Sequence, residues 1–127
     1  LARSYYYQAN IFQALVEIDT IIKESHDESI SFESLLLKAN IFLGAKRIDE
    51  AIETVIEIIS KYPEKSKAET VPLMLAVCYE ERNDFADAIS TLEQLRSDYP
   101  NKEFIDKRVK ALKERQSLLP GAHGLKK

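Results

Sequence analysis

The chain has 127 residues, 45% of them apolar and only three glycines and four prolines, an ordinary globular composition that excludes a disordered or low-complexity polymer. No apolar run approaches the roughly 20 residues a membrane helix needs, and the longest, residues 52–59, is cut by Glu53 and Glu57, so no transmembrane segment is expected. Cys78 is the one cysteine, so no disulfide forms within the chain.

The net charge of −3 hides an asymmetry: residues 1–100 carry ten basic and eighteen acidic side chains, residues 101–127 eight and three. The basic end suits the last turns of a helix. An acidic body repels phosphate, so nucleic acid is not an expected partner.

Apolar spacing at three and four residues predicts helices over 1–8, 11–25, 30–44, 48–62, 67–82, 85–98 and 102–118. Leu35, Ala39, Phe42 and Leu43 form one buried face, and Ala51, Val55, Ile58 and Ile59 the next. Leu75, Ala76 and Tyr79, then Ala88, Leu92 and Leu95, repeat the pair. The intervening turns are expected at 44–47, which opens with Gly44, and at 82–84, which holds Asn83 and Asp84. Tyr62-Pro63 and Tyr99-Pro100 end the second helix of each pair, because proline cannot continue a helix. Ser25-His26 stands at the matching place in the first pair, with His26 expected at an exposed helix end. The last helix has one apolar stripe (Phe104, Ile105, Val109, Leu112) and basic residues elsewhere, the pattern of a cap. Pro120 and Gly121 end it, and 120–127 is expected to be a loose tail.

The pairs repeat with a period of 37 residues. Ala2, Ala39 and Ala76 fall in register, as do Tyr5, Phe42 and Tyr79, and Ala14, Ala51 and Ala88. So do Ile11, Ile48 and Phe85; Ile18, Val55 and Leu92; and Ile21, Ile58 and Leu95. A period of this length signals a stacked array that presents a surface and seldom performs chemistry.

Within each period a small residue is followed by an aromatic three positions on, an alanine nine further on, and a proline twelve after that. The series reads Ala39, Phe42, Ala51, Pro63 and then Ala76, Tyr79, Ala88, Pro100. The first copy reads Ala2, Tyr5, Ala14, His26 and departs at the last place. This pattern resembles the tetratricopeptide repeat over about residues 1–100. The resemblance implies an all-α fold, a right-handed superhelical α-solenoid of about three helix hairpins plus a C-terminal capping helix. Its units would be 1–27, 30–64 and 67–100 with the cap at 102–118, all within a single domain over 1–119. The period exceeds the usual length of about 34 residues by three, and the extra residues follow the proline. They amount to nearly one helical turn, which preserves the buried face. Repeats of this length with aromatic–proline ends are similar to those of bacterial cell-envelope proteins, among them an outer-membrane assembly lipoprotein and a periplasmic Tol-Pal-associated protein. The implied location is periplasmic or outer-membrane-associated. The alternatives are a cytoplasmic or motility-complex scaffold and an accessory domain of a multidomain enzyme.

The resemblance further implies a non-enzymatic scaffold that holds a peptide or helix of a protein partner in a concave groove. First helices of the pairs would line it with Tyr6, Tyr7, Leu36, Asn40, Leu43, Leu73, Val77, Glu80 and Glu81; the competing reading buries Leu36 and Leu73 against a neighbouring helix. A carboxylate clamp is rejected, because Leu36 and Met74 occupy the places of its basic residue and second asparagine. Leu1 falls midway through the first helix of the first unit. The face over 11–22 is therefore expected to be completed by preceding residues or by end-to-end packing with another chain.

Catalytic, cofactor and metal sites are not expected. The two histidines, His26 and His123, have no metal-ligand spacing, and nothing near Cys78 would activate a thiol. The glycines at 44, 121 and 124 make no phosphate loop. Acidic pairs such as Glu80-Glu81 and Asp49-Glu50 read as solvated helix ends. In the run Tyr5-Tyr6-Tyr7, Tyr5 belongs to a core column and only Arg3 is basic nearby, which argues against base stacking.

Overall fold

A computed structural model of the chain describes the backbone of residues 2–119 and the side chains of residues 7–119. The register positions at Ala2, Arg3, Tyr5 and Tyr6, the tail over 120–127 and His123 lie outside the described side chains. Regular structure among the described residues is entirely helical: α1 (Ala2–Glu24), α2 (Glu28–Gly44), α3 (Ile48–Lys61), α4 (Pro63–Ala68), α5 (Val71–Glu81), α6 (Phe85–Leu95) and α7 (Lys102–Ser117). The chain divides into two compact units, Leu1–Pro63 and Glu64–Lys127.

In the first unit, α1 packs on α2 and α2 on α3. Asp27 starts α2: its carboxylate accepts a hydrogen bond from the Ser29 N–H at 2.8 Å, satisfying one of the orphan donors at a helix N-terminus. The α2–α3 turn closes by backbone geometry. Lys46 adopts the left-handed region at φ 65°; its N–H donates to the Leu43 carbonyl at 3.1 Å, and the Arg47 N–H to the Phe42 carbonyl at 2.8 Å. That crossed pair of bonds around a left-handed residue is a Schellman closure. The left-handed residue is therefore Lys46, while Gly44, the expected breaker, completes α2. The core of this unit draws Phe32, Leu35, Ala39 and Phe42 from α2, and Ala51, Val55 and Ile58 from α3. Among the described side chains of α1, Leu15 and Ile18 are buried.

The expected break between helices 1–8 and 11–25 is absent: α1 runs unbroken for 23 residues. The register explains it. The position one period before Lys46 is Ala9, between Gln8 and Asn10. Alanine has the best helix propensity of all residues, and here the helix continues where its counterparts reverse.

Pro63 serves both neighbours. It follows the Tyr62 cap of α3, whose N–H donates to the Ile58 carbonyl at 2.8 Å, and it occupies the first position of α4, where its missing N–H costs nothing. The Tyr62 ring meets Phe32 edge-on at a centroid distance of 5.7 Å.

The expected helix over 67–82 is broken in two. α4 stops at Ala68, and Thr70 is left-handed at φ 53° before α5 begins. The equivalent span of the preceding period is the continuous α2. The difference lies at one register position, Leu35 in α2 and Pro72 in α5. Proline lacks the N–H that would bond to the carbonyl four residues back, and its ring clashes there, so the chain must reset before Pro72.

In the second unit α5 packs on α6 and α6 on α7. The α5–α6 turn copies the earlier one a period later: Asn83 is left-handed at φ 64°, its N–H donates to Glu80 O at 2.9 Å, and the Asp84 N–H donates to Tyr79 O at 2.9 Å. α6 ends at Leu95, three residues before the expected position; tight turns follow, with the Asp98 and Tyr99 N–H groups both donating to the Leu95 carbonyl. Asn101 caps α7 through a 3.0 Å bond from the Phe104 N–H. Ala76, Phe85, Ala88, Ile89, Leu92 and Leu95 join Ile105, Val109 and Leu112 of α7 in one core. Ile105, Val109 and Leu112 of α7 face the core, as a capping helix requires, and its lysines are exposed. Phe104, expected on the same stripe, lies about 100° round the helix from Ile105 and is 38% exposed, stacked on the Tyr99 ring at 5.8 Å.

Among the described register positions all but Ile21 are buried or half-buried. Ala51, Ala88, Ala39 and Ala76 are fully buried, as are Val55 and Leu92. In the last column Ile58 is 0% and Leu95 6% exposed, but Ile21 of α1 is 45% exposed. Ala14 is likewise only half-buried. The flank of α1 that would meet the first helix of its own hairpin is uncovered, and Phe12 and Val16 add exposed apolar surface on the same helix.

Candidate functional site

Helical spacing sorts the expected groove residues into two stripes. On α2, Leu36, Asn40 and Leu43 stand at i, i+4 and i+7, one line along a single helix face. Leu36 and Leu43 are half-buried and Asn40 is exposed. The Asn40 amide nitrogen donates back to the Leu36 carbonyl at 3.1 Å, so this donor is engaged on its own helix. Tyr7 lies on α1, exposed, and with Gln8, Ile11 and Phe12 it borders a hollow of about 340 Å³ that Ala45 and Arg47 close. Tyr6 is outside the described side chains.

On α5, Leu73, Val77 and Glu80 follow the same spacing, with Glu81 beside them. Leu73 packs against the core of its unit, and Val77 is half-buried. Glu80 is engaged: its Oε2 accepts from Arg108 Nη2 at 2.6 Å and Nε at 3.1 Å, and its Oε1 lies 3.6 Å from Arg115 Nη1. Both arginines come from α7. The Arg115 guanidinium also covers the Phe85 ring at 4.9 Å, a cation–π contact. Along this ion cluster runs a shallow groove of about 270 Å³, between Glu80 and Phe104, Lys107, Arg108, Ala111 and Arg115. Sequence spacing placed Glu80 on a surface but not between two arginines. The signal was present: Arg108 and Arg115 are seven apart and share a face of α7.

The two hairpin turns carry similar locks. Arg47 grips Glu50 through Nε and Nη2 at 2.6 and 2.7 Å and covers the Phe42 ring at 4.9 Å. This bidentate hydrogen bond holds the Glu50 carboxyl below its usual range. Arg82 pairs with Asp84 at 2.6 Å and covers Tyr79 at 5.7 Å. These groups fasten the two turns.

Cys78 is fully buried. Burial pushes its thiol up from the ordinary value, and the Glu81 charge adds to the shift. Such a thiol is poorly nucleophilic at neutral pH. His26 is exposed between α1 and α2. Among the described residues no group of three or more His, Cys, Asp or Glu side chains gathers as a metal site, and no helix is long and apolar enough to cross a membrane. The geometry therefore offers surfaces: half-buried apolar lines on α2 and α5, an uncovered flank on α1, and a charged groove beside α7.

Residues 33–65 and 73–102 each match the family model described as the tetratricopeptide repeat. No curated protein and no solved structure shows significant similarity to the chain.

Proposed function

Because this chain carries tetratricopeptide repeats, a fold that generally mediates protein–protein interaction, we propose that it is a non-enzymatic scaffold that binds a peptide or helix of a protein partner within a larger assembly. The observation that carries the reading is the line Leu36, Asn40, Leu43, where two half-buried leucines flank an exposed amide on one helix face. Apolar side chains that stay partly open to solvent along one helix face suit contact with the apolar face of a partner. The 37-residue period with Tyr-Pro ends supports an envelope setting, in the periplasm or at the outer membrane, with a cytoplasmic or motility-complex scaffold as the alternative. Affinity capture from membrane and soluble fractions tests both points. The wild-type chain should retain a partner that Leu36→Asp loses while its circular dichroism spectrum stays helical. Equal recovery by both proteins refutes the α2 surface, and recovery from the soluble cytoplasm alone refutes the envelope setting.

A second contact is favoured by the uncovered flank of α1. Ile21 is exposed where its register partners are buried, so this flank suits end-to-end packing against another helix.

A further inference from the structure

We propose that the groove between α5 and α7 binds an acidic amphipathic helix of a partner protein. The inference rests on the scaffold reading above and names the chemistry of one of its surfaces.

Charge carries the first part. In this groove one carboxylate, Glu80, faces two guanidiniums, Arg108 and Arg115. The cluster is left one positive charge in excess, and Lys107 adds another at the rim. The Lys107 pair with Glu103 is 3.3 Å long and both members are about three-quarters exposed, so water screens it and it binds its lysine weakly. Over residues 1–100 the balance is opposite, with eighteen acidic against ten basic residues. An acidic ligand is thus repelled by the body of the chain and drawn to this one element. The two arginines are also held in place before any ligand arrives, Arg108 by its two bonds to Glu80 and Arg115 by the Phe85 ring. Such fixation lowers the ordering cost of binding.

Apolar spacing carries the second part. Phe104, Ala111 and Leu118 are exposed and stand seven residues apart, with Leu118 82% exposed. Arg108 and Arg115 repeat at the same interval between them. A seven-residue period of apolar contacts with charges alongside is what one helix offers another lying along it. An extended strand, with its period of two, does not match it. The occupant is therefore a helix whose own apolar line covers Phe104, Ala111 and Leu118 and whose carboxylates meet Lys107, Arg108 and Arg115. The chain's own C-terminal residues do not qualify, since 120–127 contains two lysines and no acid.

The test uses a fluorescein-labelled synthetic helical peptide with leucine at every seventh position and flanking glutamates, and a control with lysine in place of each glutamate. Fluorescence anisotropy measures affinity, and amide chemical shifts of the nitrogen-15-labelled chain locate the site. The acidic peptide should bind saturably and shift Phe104, Ala111 and Leu118. Lys107→Glu combined with Ala111→Glu, both at exposed positions, should weaken binding about tenfold or more, and raising salt from about 0.05 to 0.3 M should weaken it further. No saturable binding, shifts confined to other helices, or equal binding of the lysine peptide overturns the proposal. So does tighter binding at α7 of phosphatidylglycerol vesicles or single-stranded RNA, or self-association that Ala111→Glu abolishes. Peptide binding lost in Leu36→Asp but kept in the α7 variant refutes this site while leaving the scaffold function intact.

Discussion

Substituting leucine along one register column tests the packing logic directly. Ala51 on α3 is fully buried, as is Ala39 on the α2 helix that packs against it. Ala88 on α6 and Ala76 on α5 repeat that arrangement in the second unit. Leucine adds three carbons to each site without changing helix propensity much, so any loss is steric. A filled crossing must spread or force side chains off their rotamers, at a cost of about 1–3 kcal/mol for Ala51→Leu and the same for Ala88→Leu. Ala14 stands in the same column but on the uncovered flank of α1 and is only half-buried. Ala14→Leu should therefore stay within about 0.5 kcal/mol of wild type. Urea unfolding followed by circular dichroism at 222 nm reads the difference. With a slope of about 2 kcal/mol per molar, the first two midpoints fall by roughly 0.5–1.5 M and the third hardly moves. Equal losses at all three positions would show that α1 is covered as fully as α3 and α6. Unchanged midpoints at 51 and 88 would remove the close crossing altogether.

Four further outcomes are expected. Thr70→Gly should raise stability by about 0.5–1 kcal/mol in the same assay, because a β-branched residue is strained at φ 53° and glycine is not. Native Cys78 should react with a disulfide reagent only on the timescale of unfolding, and stoichiometrically in denaturant; rapid native labelling would refute its burial. Its raised folded-state pKa implies stability that is present below the unfolded thiol value and lost as pH rises beyond about 8.5, so Cys78→Ala should flatten that alkaline decline. Finally, Ile21→Glu should leave the fold intact and abolish any self-association seen by light scattering, whereas Ile58→Glu should prevent folding, since it buries a charge at a fully enclosed site.

The hairpins were legible because the signal was redundant. Apolar period and register point to the same helices over residues 28–61 and 71–95. Where reading went astray, one residue had overruled the average. The register implies a turn at 8–10, but Ala9, the best helix former, stands where Lys46 and Asn83 take the left-handed backbone. The register likewise implied a whole helix over 67–82, but Pro72 stands where α2 has Leu35. Both signals were in the sequence and were outweighed by periodicity. The surfaces were harder to read. Spacing put Leu73 and Glu80 on one stripe, yet Leu73 turns to the core and Glu80 is pinned by arginines 28 and 35 residues away in the chain. Spacing within one helix contains no information on which distant side chain arrives beside it.

The Schellman closures at Lys46 and Asn83 have a consequence for how such a chain changes over evolutionary time. Each period contains one position at which backbone handedness chooses between a bend and a rod. At position 9 the backbone stays right-handed and leaves a rod; at Lys46 one period later and at Asn83 two periods later it turns left-handed and makes the bend. The same span of polypeptide thus serves as one rod or as two antiparallel arms, so the number of hairpins in an array need not follow its length.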